Sequence, residues 1–366
     1  YSVGVERLAA VILIPSSILW AAAQVRAFGH VLATTSTLEL DLAVAAAAGF
    51  TIAYTAFGGL LVDAITDVIQ GVLLALGLLI LLGGVLHHVG GWDAAAAAIA
   101  DPSRIRWTGA DAVSPMATLE AWAIPVCGSV LAAELVSRVI AARSPQVARR
   151  SSLAAAGLYL TFGLIPVFVG LVGAGVVGEL ADAEQVVPAV AQRLLPPVLY
   201  AAFAGGLISA ILSTVDSTLL VSSGLLSHNL LLPLLRTRDE RVKVRLARVG
   251  VLGFGALAYV LALHADGVFA LVEQASAFGS AGALVTIVFG LFTNAGGRKT
   301  AGATLLTGVA VYLAALLAGL PYPFLTSLAA SLATYGIGAT LETAPAASQP
   351  RAVGGPQASG GAGFQV

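Results

Sequence analysis

Ten apolar runs of membrane-spanning length divide this chain, set apart by charge clusters and Gly/Pro punctuation. They occupy 8–32, 42–62, 66–87, 117–141, 151–178, 198–235, 247–264, 268–293, 301–319 and 323–341, and are called runs A to J in that order. A soluble domain carries about 25% charged residues because its surface faces water. Here 10% are charged and 58% hydrophobic, with a mean hydropathy of +0.94. The reading is an all-α, polytopic transmembrane helical bundle with the lipid bilayer as its solvent. A net charge of −1 argues against nucleic acid as a partner. The 41 glycines suit close helix packing. Cys127 is the single cysteine, so no intrachain disulfide forms, and its apolar surroundings read as core filler.

The membrane domain is expected over 1–341, with the Ala/Gly/Pro/Ser-rich tail 342–366 disordered. The chain opens on Tyr1, its one methionine is Met116, and no signal peptide is visible. It reads as a fragment without its N-terminal part. Run F would be about 57 Å long as one helix, against a bilayer core of about 30 Å. It either projects into the cytoplasm or bends near Gly224.

Lys and Arg in short loops set the orientation. Arg143, Arg149 and Arg150 follow run D, with Arg138 close by; Arg236, Arg238, Arg241, Lys243 and Arg245 follow F; Arg298 and Lys299 follow H. These loops alternate correctly and are read as cytoplasmic. The opposite loops carry Glu39 and Asp41, then Glu179, Asp182 and Glu184. Run A therefore enters from the cytoplasm, and the chain ends there after J. The connection from Gly90 to Pro115, with Trp92, Asp93, Asp101, Arg104, Arg106 and Trp107, is an outer loop or an interfacial helix. A metal site at His87 and His88 would need further ligands.

Polar groups inside the runs carry the functional reading. In run F, Ala210, Ser213 and Thr214 stand at i, i+3 and i+4 on one face, and Ser209 and Ser217 extend it. Their oxygens suit a hard cation such as Na+, or else the hydroxyls bond back to their own helix. Asp216 adds a carboxylate that needs a partner or water. At the B–C junction, Tyr54 and Gly58-Gly59 precede Thr66, Asp67 and Gln70. Asp67 reads as the cap of run C and puts a carboxylate at its cytoplasmic mouth. In run H, Glu273 and Gln274 lie about a turn inside the outer edge, facing water or a substrate, before a run of small residues. In run D, Pro125 frees a carbonyl and Gly128 weakens the helix, giving a kink or a broken span. Glu134, lower on D, needs a partner. No Lys or Arg is read deep within a run.

These segments together resemble the sodium:solute symporter family of proline, pantothenate, iodide and sugar symporters. The resemblance is carried by Tyr54, Gly58, Gly59, Thr66, Asp67 and Gln70; by Ser213 to Ser217; by Ser137-Arg138 through Ala148-Arg149; and by Phe289 to Phe292 with Gly302-Ala303. It runs in order from about 8 to 341. It implies a five-plus-five inverted-repeat (LeuT-like) transporter fold lacking its first core helices. Residues 1–87 would be the remainder of the first repeat, 117–293 the second repeat and 301–341 an extra C-terminal pair. A typical member has three more spans before A.

The function implied is sodium-coupled symport of a small solute across the cell's inner (plasma) membrane, by alternating access and without enzyme chemistry. The coupling ion Na+ would bind the Ala210 carbonyl and the Ser213 and Thr214 hydroxyls, with carbonyls of the first core helix completing the site. Asp67 and Asp216 would lie on the ion path. Trp122 and Ser129 on D, with Glu273 and Gln274 on H, are the substrate-binding candidates. Run D carries Pro125 and Gly128 where sugar carriers have Asn and a gating Tyr, which argues against a sugar. Rival readings are a symporter-like membrane sensor, an inactive truncated relative, and proton coupling through Asp216 and Glu273.

Overall fold

The computed structural model describes residues 1–57, 60–100, 114–178, 180, 182–235 and 239–342, and every regular element among them is helical. The elements are α1 (Val3–Thr35), α2 (Leu40–Phe57), α3 (Leu60–Val89), α4 (Trp92–Ala100), α5 (Pro115–Val130), α6 (Ala133–Ile140) and α7 (Pro145–Val177). A 3₁₀ turn (Ala183–Gln185) leads into α8 (Val186–Leu194) and α9 (Pro197–Gly224). A π segment (Leu225–Leu231) runs on into α10 (Leu232–Leu235). Then come α11 (Glu240–His264), α12 (Val268–Ala277), α13 (Ser280–Phe292), α14 (Arg298–Leu317) and α15 (Pro323–Leu341).

Among the described residues, eight helical stretches are long and apolar enough to cross a membrane; the α12–α13 pair makes a ninth, and Leu40–Ala56 is a shorter apolar helix. Their outer surfaces suit lipid: Tyr159, Phe292 and Leu317 are each more than 80% exposed. Run J matches α15, while run E begins six residues late because α7 starts at Pro145. Ser144 caps α7 by accepting from Val147 N at 3.2 Å, and Pro145 supplies a preset first turn. Ser114 and Pro115 start α5 in the same way.

Helix α1 is the central post, packed against α2, α9, α11 and α12. Ala21, Ala22 and Ala23 are all fully enclosed, so burial runs right round the helix. Small residues matter here because lipid removes the hydrophobic drive between helices. A methyl group on Gly29 would collide with Val44 of α2, which fixes how closely α1 and α2 approach. A second core joins α3, α4, α7 and α8 around Leu81, Val85, Val169 and Val190. The Gly90–Pro115 connection thus contains helix α4, packed by Ala95 and by Trp92 against Phe168; 101–113 lie outside the described residues. At its far end the chain closes back on α14. The Glu342 carboxylate accepts from Thr300 N and Oγ1, Lys299 N and Gly297 N. The Thr300 bonds above all hold this carboxyl below its ordinary range, so the link is present at neutral pH and lost as pH falls through that lowered value.

Two runs are broken. Run D splits into α5 and α6 at Leu131–Ala132, where Ala132 turns to ψ 116°. Pro125 stays inside α5, so the break falls after Gly128 rather than at the proline. Run H breaks at Phe278–Gly279 and bends by 42°. Gly279 has φ +72°, a conformation open to glycine, and its Cα lies against Ile12 of α1. Run F continues as one helical stretch, Pro197–Leu235, with a π segment following Gly224.

The two broken runs meet at Gly128. A Cβ there would lie 2.6 Å from the Ser276 carbonyl oxygen and 2.7 Å from its Cα. Gly205 on α9 has nothing within 4 Å. Gly128→Ala is therefore expected to cost about 1–3 kcal/mol by overpacking. Gly205→Ala is expected to be neutral or slightly stabilising. Melting temperatures of the two variants in detergent check this contrast.

Candidate functional site

Oxygen atoms gather where α3, α6 and α9 meet. Ser213 on α9 donates its hydroxyl to Asp67 Oδ1 on α3. Arg138 on α6 donates from Nη2 to Asp67 Oδ2 at 2.6 Å and to Ser217 Oγ at 2.9 Å. One turn of α9 thus meets a carboxylate and a guanidinium from two other helices. The Asp67 side chain is 17% exposed and that of Arg138 56%. Thr214 donates to the Ala210 carbonyl at 3.0 Å. The back-bonding alternative therefore holds for Thr214, while the Ser213 hydroxyl turns to another helix.

These bonds leave the site able to hold a cation. A hydroxyl that donates keeps two lone pairs, whereas the Ala210 carbonyl, inside α9, takes both the helical bond from Thr214 N and the Thr214 hydroxyl. Ser213 and Thr214 thus offer two hydroxyl oxygens to a cation, and the Ala210 carbonyl a third once the Thr214 hydroxyl turns from it to the ion, with the Asp67 carboxylate bonded to Ser213. Asp216 is 1% exposed and lies within the helix packing.

Asp67 does not cap α3. The helix starts at Leu60, so Asp67 sits about two turns inside it. The apparent start at Thr66 follows Gly58-Gly59, which lie outside the described residues, as do the side chains of Thr66 and Glu134. Arg138 was legible as a loop charge and a motif residue, but not as the partner of Asp67, 71 positions away.

The substrate candidates fall on the broken helices. Ser129 is exposed and donates to Val126 O at 3.2 Å. Glu273 and Gln274 are exposed on α12, about a turn before Ser276. The Gly128–Ser276 contact brings these three residues into one region, while Trp122, 66% exposed, lies two turns earlier on α5. Glu120 was missed. It is 8% exposed on α5 and accepts from Phe324 N at 2.7 Å and Leu325 N at 2.8 Å, so it caps α15. This ties the α5 arm to the C-terminal helix.

A basic group does lie within a span, against expectation. Arg26 of α1 is partly buried and donates to Ala262 O of α11 at 2.8 Å. The apolar count of run A hid it. His87 and His88 are exposed at the end of α3, outside the one three-residue grouping of metal-ligand side chains among the described residues.

A bundle of spanning helices with two breaks and an oxygen-lined helix face belongs to the LeuT-like fold class. The profile of the sodium:solute symporter family matches residues 4–308, and the chain belongs to that family. It is 28% identical over 299 residues to the sodium/pantothenate symporter of Escherichia coli, covering 78% of this chain and 61% of that protein. It is 27% identical over 308 residues to the high-affinity proline transporter of Bacillus subtilis, covering 81% and 64%. With the human high affinity choline transporter 1 it shares 25% over 282 residues, covering 73% and 49%. The chain thus spans less than two thirds of each of these relatives. A solved structure of a Na+-coupled sialic acid symporter superposes with a TM-score of 0.74 at 18% identity, over 94% of this chain and 76% of that one. That likeness bears out the expected fold.

Proposed function

We propose that the protein carrying this chain couples Na+ to the uptake of a small solute across the plasma membrane by alternating access. The observation that carries this reading is the bond from Ser213 to Asp67, beside the Ala210 carbonyl and the Thr214 hydroxyl. It sets a carboxylate against a helix face able to coordinate a hard cation. Relatives that are pantothenate, proline and choline carriers support a small organic solute.

In this reading α1 to α3 complete the first repeat, α5 to α13 form the second, and α14 and α15 are the additional pair. Lys and Arg near Arg138, Lys243 and Arg298 mark the cytoplasmic side, where the C-terminus also lies. Na+ binds Ala210, Ser213 and Thr214 and orders the solute site between α5 and α12, at Ser129, Glu273, Gln274 and Trp122. Rearrangement of the broken helices then opens the inner side, and Na+ leaves past Asp67 and Asp216. Na+ drives the cycle only by its difference in affinity for the two states.

The test is uptake of radiolabelled pantothenate, proline and choline by cells expressing the protein, with Na+ replaced by N-methylglucamine at fixed pH. Loss of uptake without Na+ is the expected result. Uptake that ignores Na+ and follows the proton gradient would overturn it and move the coupling role to Asp216 and Glu273.

A further inference from the structure

Ser213 lies sixteen residues along α9 from Pro197, or about 24 Å. Near the start of that helix a second polar cluster has no part in the ion path. His30, near the end of α1, is 2% exposed. The 3₁₀ turn before α8 closes over it. Asp182 Oδ2 lies 3.5 Å from Nδ1 of His30, and Glu184 Oε2 lies 3.5 Å from its Nε2. One ligand atom from each of the three side chains falls within 4.8 Å of the others. Donors on a zinc ion, each about 2.1 Å from the metal, stand about 3–3.5 Å apart, a small side-chain adjustment away.

Two further observations point to a ligand. Nε2 of His30 is buried and has no hydrogen-bond partner. A buried polar atom left this way is costly, and a bound cation would satisfy it. Both carboxylates are also held in place by backbone groups. Asp182 Oδ1 accepts from Glu184 N at 2.9 Å. The Glu184 oxygens accept from Val268 N at 2.8 Å and Phe269 N at 2.9 Å, capping α12. Each oxygen keeps a lone pair, so these bonds orient the ligands as outer-shell bonds orient metal ligands. The carboxylate side chains are 32% and 27% exposed, which leaves an entry path. Gln185 Nε2 lies 3.3 Å from His30 Nδ1, a further polar group at the ring.

We infer that His30, Asp182 and Glu184 form a divalent-cation site, with Zn2+ suited to one imidazole and two carboxylates. The ion would join α1 to the turn before α8 and, through Glu184, to α12. That restrains one broken helix against the central post. The binding claim stands apart from the transport reading.

The experiment uses the chain in detergent, stripped of metal by a chelator and titrated with Zn2+ at pH 7.5. A saturable rise in melting temperature is expected, with one ion bound per chain by calorimetry. His30→Ala and Asp182→Asn should each weaken Zn2+ affinity by about tenfold or more. Asp182→Asn keeps the Glu184 cap of α12, so it tests the site even if other variants fold poorly. Replacing His87 and His88 by Ala should change nothing. Absence of a Zn2+ effect, or an effect that survives in both His30→Ala and Asp182→Asn, overturns the proposal. Stabilisation by acid but not by Zn2+ also overturns it, since the imidazole would then hold only a proton between the two carboxylates.

Discussion

Replacing Ser213 and Thr214 together by alanine is expected to abolish the sodium stimulation of uptake while leaving the protein folded. Each hydroxyl lost from a cation contributes about 1.5–3 kcal/mol, as bonds to charged groups do. Together that is about 3–6 kcal/mol, or a fall of roughly 10²–10⁴ in sodium affinity. Uptake would then stay flat across any usable Na+ range. The fold should tolerate the change. Thr214 bonds back to its own helix at Ala210 O, and alanine is the better helix former. Thr214→Ser keeps the hydroxyl and should keep most of the sodium response. The measurement is initial uptake rate against Na+ concentration, with a melting curve for each variant. A double variant that is folded and still responds to Na+ like the parent would remove Ser213 and Thr214 from the ion site.

The layout of spans was legible because it depends on local composition. Apolar length and flanking Lys and Arg mark a helix in lipid whatever it packs against. The break in run D was legible as a weakness at Pro125 and Gly128, but its position was not. It falls at Leu131–Ala132, where Gly128 is pressed against Ser276 of a helix far along the chain. The break in run H was not foreseen. Gly279 sits in a stretch of small residues that reads as packing, and the reason a side chain is excluded there, Ile12 of α1, lies far away in sequence. Ser213, Thr214 and Asp67 were legible as chemistry, since spacing and residue type are local. Their wiring was not: Asp67 looked like a cap until the helix was seen to begin at Leu60. The links from Arg138 to Asp67 and from His30 to Asp182 join residues 71 and about 150 positions apart, beyond the reach of any periodicity.

Removing the carboxylate at Asp67 should have the second large effect, and a distinctive one. Asp67 accepts from both Ser213 and Arg138, so it ties the α9 face proposed to bind Na+ to the α6 arm of the broken helix. Asp67→Ala removes a negative charge beside the cation site and releases the Ser213 hydroxyl. The Na+ concentration for half-maximal uptake should rise about tenfold or more, the equivalent of about 1.4 kcal/mol or above. Arg138→Ala acts in the opposite sense on affinity. It frees Asp67 Oδ2 from the guanidinium, so the carboxylate has more of its charge to offer Na+, an effect weakened by salt. Sodium should bind a few-fold more tightly, while the maximal rate falls because α6 is no longer tied to α3 and α9. The two changes share one interaction, so their effects should not add. In the double variant, the half-maximal Na+ concentration should lie close to that of Asp67→Ala alone. Arg138 speaks to sodium through Asp67, and once the carboxylate is gone it has much less to act on. Strictly additive changes in Na+ dependence would mean that Arg138 and Asp67 act on transport separately, and that the bond between them is only a structural clasp.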